Sequence, residues 1–549
     1  MSQNVNTFGW NTVYAASVPV VNNAIVTQKS FPTSFDYPDN VGVHIKGNWK
    51  SWQLISGGSG SNVQMKCIVD SGTISGLGQP DGDLKDASLI IQVKLQKIAD
   101  ASLNFTDTTA KPDTGTANAI KVNTQAIGDD PVVSVLQSSQ YPNVSVELFK
   151  DLLGSVFGHY FNANISSFSH VFSVMMLNQQ AAKDDFAWLK PTDLSYAVGS
   201  TEDDDLSKAV FATLCLTDGA TISGGMQQAV DISALQGLPP DANSSFVISP
   251  EKVTQHMLFK GAVATIQGSK DSDFTIGSDQ VSIRNVNKIT WGNFQTDNGV
   301  ISPTINVGNF TMTLQDDHIL LEIVNAEYEP SAGITVHLTL TQKFGFKTVK
   351  RDSDGKYVFI PDTSSFGSPH IVTAVSISEG LKILEITLAV VGAVAGLAAG
   401  ASGIGALIAK GATVAAEGAA ASAEISAEVV EEAIESASEE SIEAAENEAA
   451  LSVDEGISGV EGAAQVQKGS FLLTGQFRAY CGLAAAIAGV SSAGIAVAKF
   501  VTEEDYDKVP AFNDFAANCL GTTKWPATNN AELVSVDLRN SLVMGIKLS

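Results

Sequence analysis

A chain of 549 residues, 44% hydrophobic and 17% charged, is too long for one ordinary core and apolar enough to build two or three. Its formal net charge of −27 excludes general binding to nucleic acid or anionic membrane through bulk charge, and no Lys/Arg cluster marks a local basic patch. Cys67, Cys215, Cys481 and Cys519 are scattered without CxxC or metal-finger spacing, which predicts free thiols and no metal site.

The N-terminus, MSQNVNTFGW, has neither a basic start nor an apolar run. Cytoplasmic synthesis without a signal peptide is therefore expected, and extracellular release would need an unconventional route. Residues 8–16 mix aromatic and β-branched side chains and read as a strand, with Trp10, Thr12 and Tyr14 on one face and Val13 and Ala15 on the other. Ser17 is placed as an N-cap and Pro19 in the first helical turn, where no backbone donor is lost. Val18, Val21 and Ile25 then recur at helical spacing, leaving Asn22 and Asn23 outside.

From Phe31 to about Asp100 the signals are β. Trp49 and Trp52 precede a Gly-rich turn at 57–60, and Val63, Met65 and Cys67 alternate after it. Leu89, Ile91, Val93 and Leu95 alternate with Ile90, Gln92, Lys94 and Gln96 as one strand. Residues 101–131 are polar and read as a long loop or hairpin region. Val146, Phe149, Leu152, Leu153, Val156 and Phe157 predict a second amphipathic helix over 144–162. Strand character returns at 168–177 and 194–198, with a charged loop at 203–205. Pro250 opens a further helix through Gln255 and Leu258.

Strands dominate from Phe274 to Phe346, most clearly where Ile334, Val336, Leu338 and Leu340 alternate with Thr335, His337, Thr339 and Thr341. Asp354-Gly355 reads as a hairpin turn before the strand 357–360. Long antiparallel strands punctuated by a few amphipathic helices give the fold class α+β.

Composition then shifts. Residues 386–409 and 480–498 are uncharged, and between them 417–461 carries 14 acidic residues, about half the net charge. Ala, Glu and Ser at this density predict helix, so 381-499 reads as an inserted Ala/Gly/Glu-rich helical hairpin or bundle with an acidic connection. Gly392, Gly396 and Gly400, with Leu397 and Ile404 beside them, allow close helix–helix packing in water or in lipid. Both uncharged runs reach the roughly 20 residues a bilayer span needs, but their small residues make the apolarity weak, so membrane contact is conditional. Residues 533–548 end the chain as one or two short strands.

Catalytic constellations are missing. There is no G-x-S-x-G, no G-x-x-x-x-G-K-[ST] and no H-E-x-x-H. Asp352-Ser-Asp354-Gly355 vaguely matches a calcium loop, but Lys356 stands where the next oxygen ligand belongs. The seven histidines lie far apart without ligand spacing. No catalytic residue, metal or cofactor is predicted, and an enzyme is not expected.

Several stretches resemble the p-forty-seven family encoded with OrfX proteins in clostridial neurotoxin gene clusters. They are FGWNTVYAASVPVVNNAI (8–25), GNWKSWQLISGGSGSNVQMKCIVDSGT (47–73) and FSHVFSVMMLNQQAAKDDFAWLKPTDLSYAV (168–198). To these add FVISPEKVTQHML (246–258), YDKVPAFNDFAANCL (506–520) and ELVSVDLRNSLVMG (532–545). That family is similar to the tubular lipid-binding (TULIP) superfamily, in which a long helix is wrapped by a strongly curved antiparallel sheet.

The resemblance implies two elongated TULIP-like modules, 1-245 and 246-380 plus 500-549, with the insert outside both. It implies a bound lipid as the one non-protein group. Lipid-groove candidates are Val18, Val21 and Ile25 on the first helix and Phe149, Leu152, Val156 and Phe157 on the second, with ordinary core packing as the alternative for each. The function implied is that of a non-enzymatic, lipid- or partner-binding accessory protein in a toxin-like, virulence-associated system. One alternative is a membrane-active toxin component whose hairpin inserts at low pH. Another is a chaperone or scaffold for a partner toxin, docking it through the acidic insert. Partners encoded in the same cluster are expected; nucleic acid is not.

Overall fold

A computed structural model describes residues 3–103, 116–125, 131–177, 187–201, 205–266, 268–291, 294–296, 299–331, 334–350, 357–362, 370–377, 414–416, 523–528 and 530–549. The chain divides into two compact units. The first comprises Met1–Lys252, Thr348–Val358 and Pro510–Ser549; the second comprises Val253–Lys347 and Phe359–Val509.

The first unit opens with β1 (Thr12–Ser17), α1 (Val18–Gln28), β2 (Ser34–Pro38), β3 (Val43–Leu54), β4 (Val63–Gly76), β5 (Gln79–Asp83) and β6 (Ser88–Val93). It continues with β7 (Leu95–Ala99), β8 (Thr116–Val122), β9 (Val133–Val135), α2 (Glu147–Asn164), β10 (Val171–Leu177), β11 (Asp193–Gly199), β12 (Val210–Leu216) and β13 (Ser244–Ile248). Three antiparallel sheets result. β1 sits inside a six-stranded sheet, between β12 and β13, with β11 beyond β12. The other side of β13 pairs with Ser541–Leu548, which pairs in turn with Ala531–Arg539. The sequence groups these last strands with the second module; their hydrogen bonds put them in the sheet of the first. Strand partners so distant in sequence leave no local signal. The N-terminus is tied to the same hairpin, since Val5 N–H donates to the Arg539 carbonyl at 2.8 Å and Ser541 Oγ to the Val5 carbonyl at 2.9 Å.

Trp10 corrects the predicted facing of the first strand. Phe8 (φ +51°) and Gly9 (φ +85°) form a left-handed turn, so the strand begins only at Thr12. The turn resets the alternation, and Trp10 packs with Val13, Ala15, Leu214 and Val247 rather than beside Tyr14. Its indole N–H donates to the Gln227 carbonyl at 2.8 Å, satisfying the polar edge of a fully buried ring.

The second sheet has the order β2-β3-β4-β6-β9, with β5 on β4, and the third joins β7, β8, β10 and Thr523–Lys524. The alternation at 89–96 is therefore not one strand. It divides at Lys94, with β6 in the second sheet and β7 in the third. β6 buries Leu89, Ile90, Ile91 and Val93, whereas β7 buries only Leu95; the alternation of residue types does not reveal the change of sheet.

At the middle of β3 and β4, Gly47 faces Gly72, and Phe35 on β2 faces Gly47. A Cβ on Gly47 would lie 2.7 Å from Phe35 Cζ and 2.4 Å from the Ser71 carbonyl oxygen. The two glycines make the space that the Phe35 ring fills.

Pro250–Val253, where the first stretch of the first unit ends, continues through a π turn at Thr254–Leu258 into Phe259–Thr265 of the second unit as the expected helix. Strands Ser282–Asn285, Phe310–Leu314, Ile319–Ser331, Ile334–Lys350 and His370–Ile377 follow in one antiparallel run. Met257, Leu258, Ile283, Phe310 and Met312 are buried here. Of the insert 381-499, the structure describes Val414–Ala416, extended and parallel to His370–Ile377 rather than helical. Gly392, Gly396, Leu397, Gly400 and Ile404, the Asp354-Gly355 turn, Cys481 and Cys519 lie outside the described residues.

Candidate functional site

The apolar faces of α1 and α2 carry the residues that the sequence offers for a ligand groove. Val18, Val21 and Ile25 are buried on α1, and Phe149, Val156 and Phe157 on α2, while Leu152 is half-buried at the margin of that face. α1 packs on β3 and also touches β1 and β12. Ser17 precedes it in extended conformation without a side-chain cap bond, and Pro19 starts it.

Asn22 is not outside, as the helical spacing suggests, but 9% exposed. Its Nδ2 donates to the Leu54 carbonyl at 3.0 Å, and Leu54 N–H donates to its Oδ1 at 2.7 Å. The side-chain amide thus stands in for a neighbouring strand at the end of β3, satisfying a buried donor and acceptor that would otherwise go unpaired.

α2 lies on the second sheet through aromatic rings. Trp49 of β3 is the hub, with ring centroids 4.7 Å from Phe35, 5.6 Å from Trp52, 5.9 Å from Phe157 and 5.7 Å from Phe161. Its indole N–H donates to the Tyr160 hydroxyl at 3.4 Å, and burial pushes the Tyr160 phenol above its usual range. The chain of rings continues from Trp52 through Phe168 and Phe172 to Phe211. At the far side of the helix, His159 Nδ1 lies 2.9 Å from Asp39 Oδ2, whose side chain is buried, tying α2 to the β2–β3 turn. The interior between helices and sheets is therefore aromatic and nearly free of charge.

Cys67 and Cys215 are free, buried thiols, and burial raises both well above the usual thiol range. Among the described residues His44, His159, His318 and His337 each stand beside a carboxylate. A serine–histidine pair does occur, with Ser30 Oγ 2.8 Å from His170 Nδ1. Both residues are buried, and His170 Nε2 has no hydrogen-bond partner, so the pair has neither an orienting carboxylate nor access to a substrate. No three His, Cys, Asp or Glu side chains among the described residues come together as a metal site. In the second unit an open polar cleft of about 310 Å³ is lined by Lys288, Thr304, Glu327, Glu329 and Thr335 among others. Its residues come from segments distant in sequence and carry no motif, so nothing in the sequence marks it. Among the described residues no helix is long and apolar enough to cross a membrane.

A family model described as OrfX-like: Protein OrfX2/OrfX3/P47 matches residues 7–474. Protein OrfX3 of Clostridium botulinum (strain Kyoto / Type A2) is 27% identical over 289 residues, covering 49% of this chain and 57% of that protein. The chain thus spans little more than half the length of the curated relatives it matches. Among solved structures, P47 from Clostridium botulinum A2 is similar at a TM-score of 0.50 and 20% identity, covering 70% of this chain and 85% of that one. P47 of Clostridium botulinum E1 is similar at a TM-score of 0.55 and 15% identity, covering 100% of both chains. At these identities the structural likeness speaks for the fold alone. The family match covers most of the chain, and the chain belongs to the OrfX-like family, OrfX2/OrfX3/P47, whose members are associated with botulinum neurotoxin clusters.

Proposed function

We propose that this chain is a non-enzymatic accessory protein of a toxin-like system that binds a lipid or other hydrophobic ligand along the apolar faces of α1 and α2. The observation that carries the reading is the layering of both helices, apolar face inward, on antiparallel sheets, with Trp49, Trp52, Phe157 and Phe161 between them. That layering supports the helix-and-curved-sheet arrangement expected of TULIP-type modules. These faces are apolar and closed by packing, so a ligand entering between them would be an acyl chain rather than a polar molecule. Family membership supports the accessory role, and the closed Ser30–His170 pair offers no reaction centre.

The test is organic extraction of the purified, folded protein followed by mass spectrometry. The expected result is a stoichiometric lipid that is lost in Val21→Trp or Ile25→Trp while circular dichroism stays unchanged. A lipid-free protein that also ignores liposomes at pH 7 and pH 5 would sink the reading. A second reading, docking of a basic partner toxin on the acidic stretch 417–461, is favoured by its charge; it requires a complex that weakens steeply between about 0.05 and 0.5 M salt.

A further inference from the structure

α1 and β10 meet at one buried polar contact. Ser30 lies two residues beyond α1, and His170 one residue before β10. Ser30 Oγ is 2.8 Å from His170 Nδ1, and Ser169 N–H donates to the Ser30 carbonyl at 3.0 Å. Ser30 Oγ also donates to the Ile25 carbonyl at 3.3 Å, inside the last turn of α1. With both side-chain bonds made, the hydroxyl accepts from Nδ1–H, and Nε2 carries a bare lone pair. That atom is buried without a hydrogen-bond partner, in a side chain 1% exposed, between the rings of Phe168 at 6.0 Å and Phe172 at 4.9 Å.

No carboxylate on the elements around this ring offers its charged form a counter-ion. α1 and β10 carry no charged residue, nor does β12, which sets Phe211 on Phe172. Lys29, next to Ser30, is exposed. β3, which sets Trp52 on Phe168, carries His44, Lys46 and Lys50, with both lysines exposed and His44 held by Asp36. Of the two strands paired with β10, β8 carries Lys121 opposite Val171, where it is ion-paired with Asp100 at 3.2 Å, and Thr523–Lys524 carries Lys524, which is exposed.

We propose that His170 is an acid-sensitive latch on α1, which while neutral holds the C-terminal end of the helix against β10 through Ser30, and which releases that end on gaining a proton at Nε2. Protonation places a cation among aromatic rings and creates an N–H with no acceptor; both costs are relieved when the junction opens and water reaches the ring. Burial holds the imidazole down at about 4 against its ordinary 6.5. The opened junction takes up its proton near the ordinary value, so the closed form is at full strength above about pH 6.5 and weakens as pH falls toward 4. What opens is the segment carrying Val18, Val21 and Ile25. The latch stands whichever ligand that face takes.

The test is amide hydrogen exchange of the full chain at pH 7.5 and pH 5.0, corrected for the intrinsic pH dependence of exchange. Protection of residues 18–30 is expected to fall on the order of tenfold in the unsubstituted protein. In His170→Asn, which keeps a donor for Ser30 but does not titrate, the fall should be under about threefold. Equal falls in both proteins overturn the proposal. An NMR titration of the unsubstituted protein tests the same point without relying on how the variant folds. His170 must stay neutral until α1 loses protection, and an ordinary midpoint near 6.5 with α1 still protected overturns the latch.

Discussion

Asn22 sits at a helix position that reads as solvent-facing, yet it closes the end of β3 by bonding both backbone groups of Leu54. Asn22→Leu leaves a buried donor and a buried acceptor unpaired, at roughly 1–3 kcal/mol each. Urea unfolding should show a midpoint lowered to match, at unchanged m-value; a neutral result would mean that Leu54 finds water or another partner. The thiols make a second residue-scale prediction. With Cys481 and Cys519 replaced by serine, Cys67 and Cys215 should resist a thiol reagent at pH 8 until the protein unfolds, because burial raises both thiols and blocks access. Rapid labelling of either thiol in the native state would contradict its place in the core. The free thiols were legible from spacing. The bond made by Asn22 was not, since a polar residue at that spacing reads the same whether it meets water or a distant strand end.

At the scale of elements, the helical spacing of Phe149, Val156 and Phe157 located α2 within a few residues, because a 3.6-residue repeat is a local property. What α2 packs on is not local. Phe161→Ala removes a fully buried ring that touches Trp49 and Trp52, and about 3–5 kcal/mol is expected. Leu152→Ala, at the margin of the same face, should cost about 1 kcal/mol. Similar losses at both positions would mean that the centre and the margin of this face are packed alike, against the full burial of Phe161 and the partial burial of Leu152. Gly47→Ala tests the β2–β4 layer. Its new methyl meets Phe35 Cζ and the Ser71 carbonyl, and a cost of about 1–3 kcal/mol from overpacking should lower the melting temperature. The division of 88–99 into two strands of different sheets escaped the pattern for a related reason. Alternation records which side of a strand is buried, and it says nothing about whether Lys94 is followed by the same neighbour or a new one.

For the whole molecule, the C-terminal hairpin completes a sheet whose other strands come from the first 248 residues. Ending the chain before Ala531 removes two of its six strands, leaves β13 with an open edge and frees the Val5 and Arg539 contacts. The expected outcome is a chain that aggregates or loses near-ultraviolet dichroism; a soluble, native-like truncate would show that the hairpin is dispensable. The sequence by itself determined the α+β class, the amphipathic helices and their buried faces, the long strand at 334–340 and, through ordered stretches from residue 8 to residue 545, the family. These rest on short-range periodicity and on residue identity, both carried by the chain before it folds. Tertiary structure alone decided the rest. Its share includes the place of the last strands, the change of sheet at Lys94, the aromatic hub at Trp49 and the meeting of Ser30 with His170, 140 residues apart. Contacts between segments so distant are chosen by the packing of the whole core, and no local pattern records that choice.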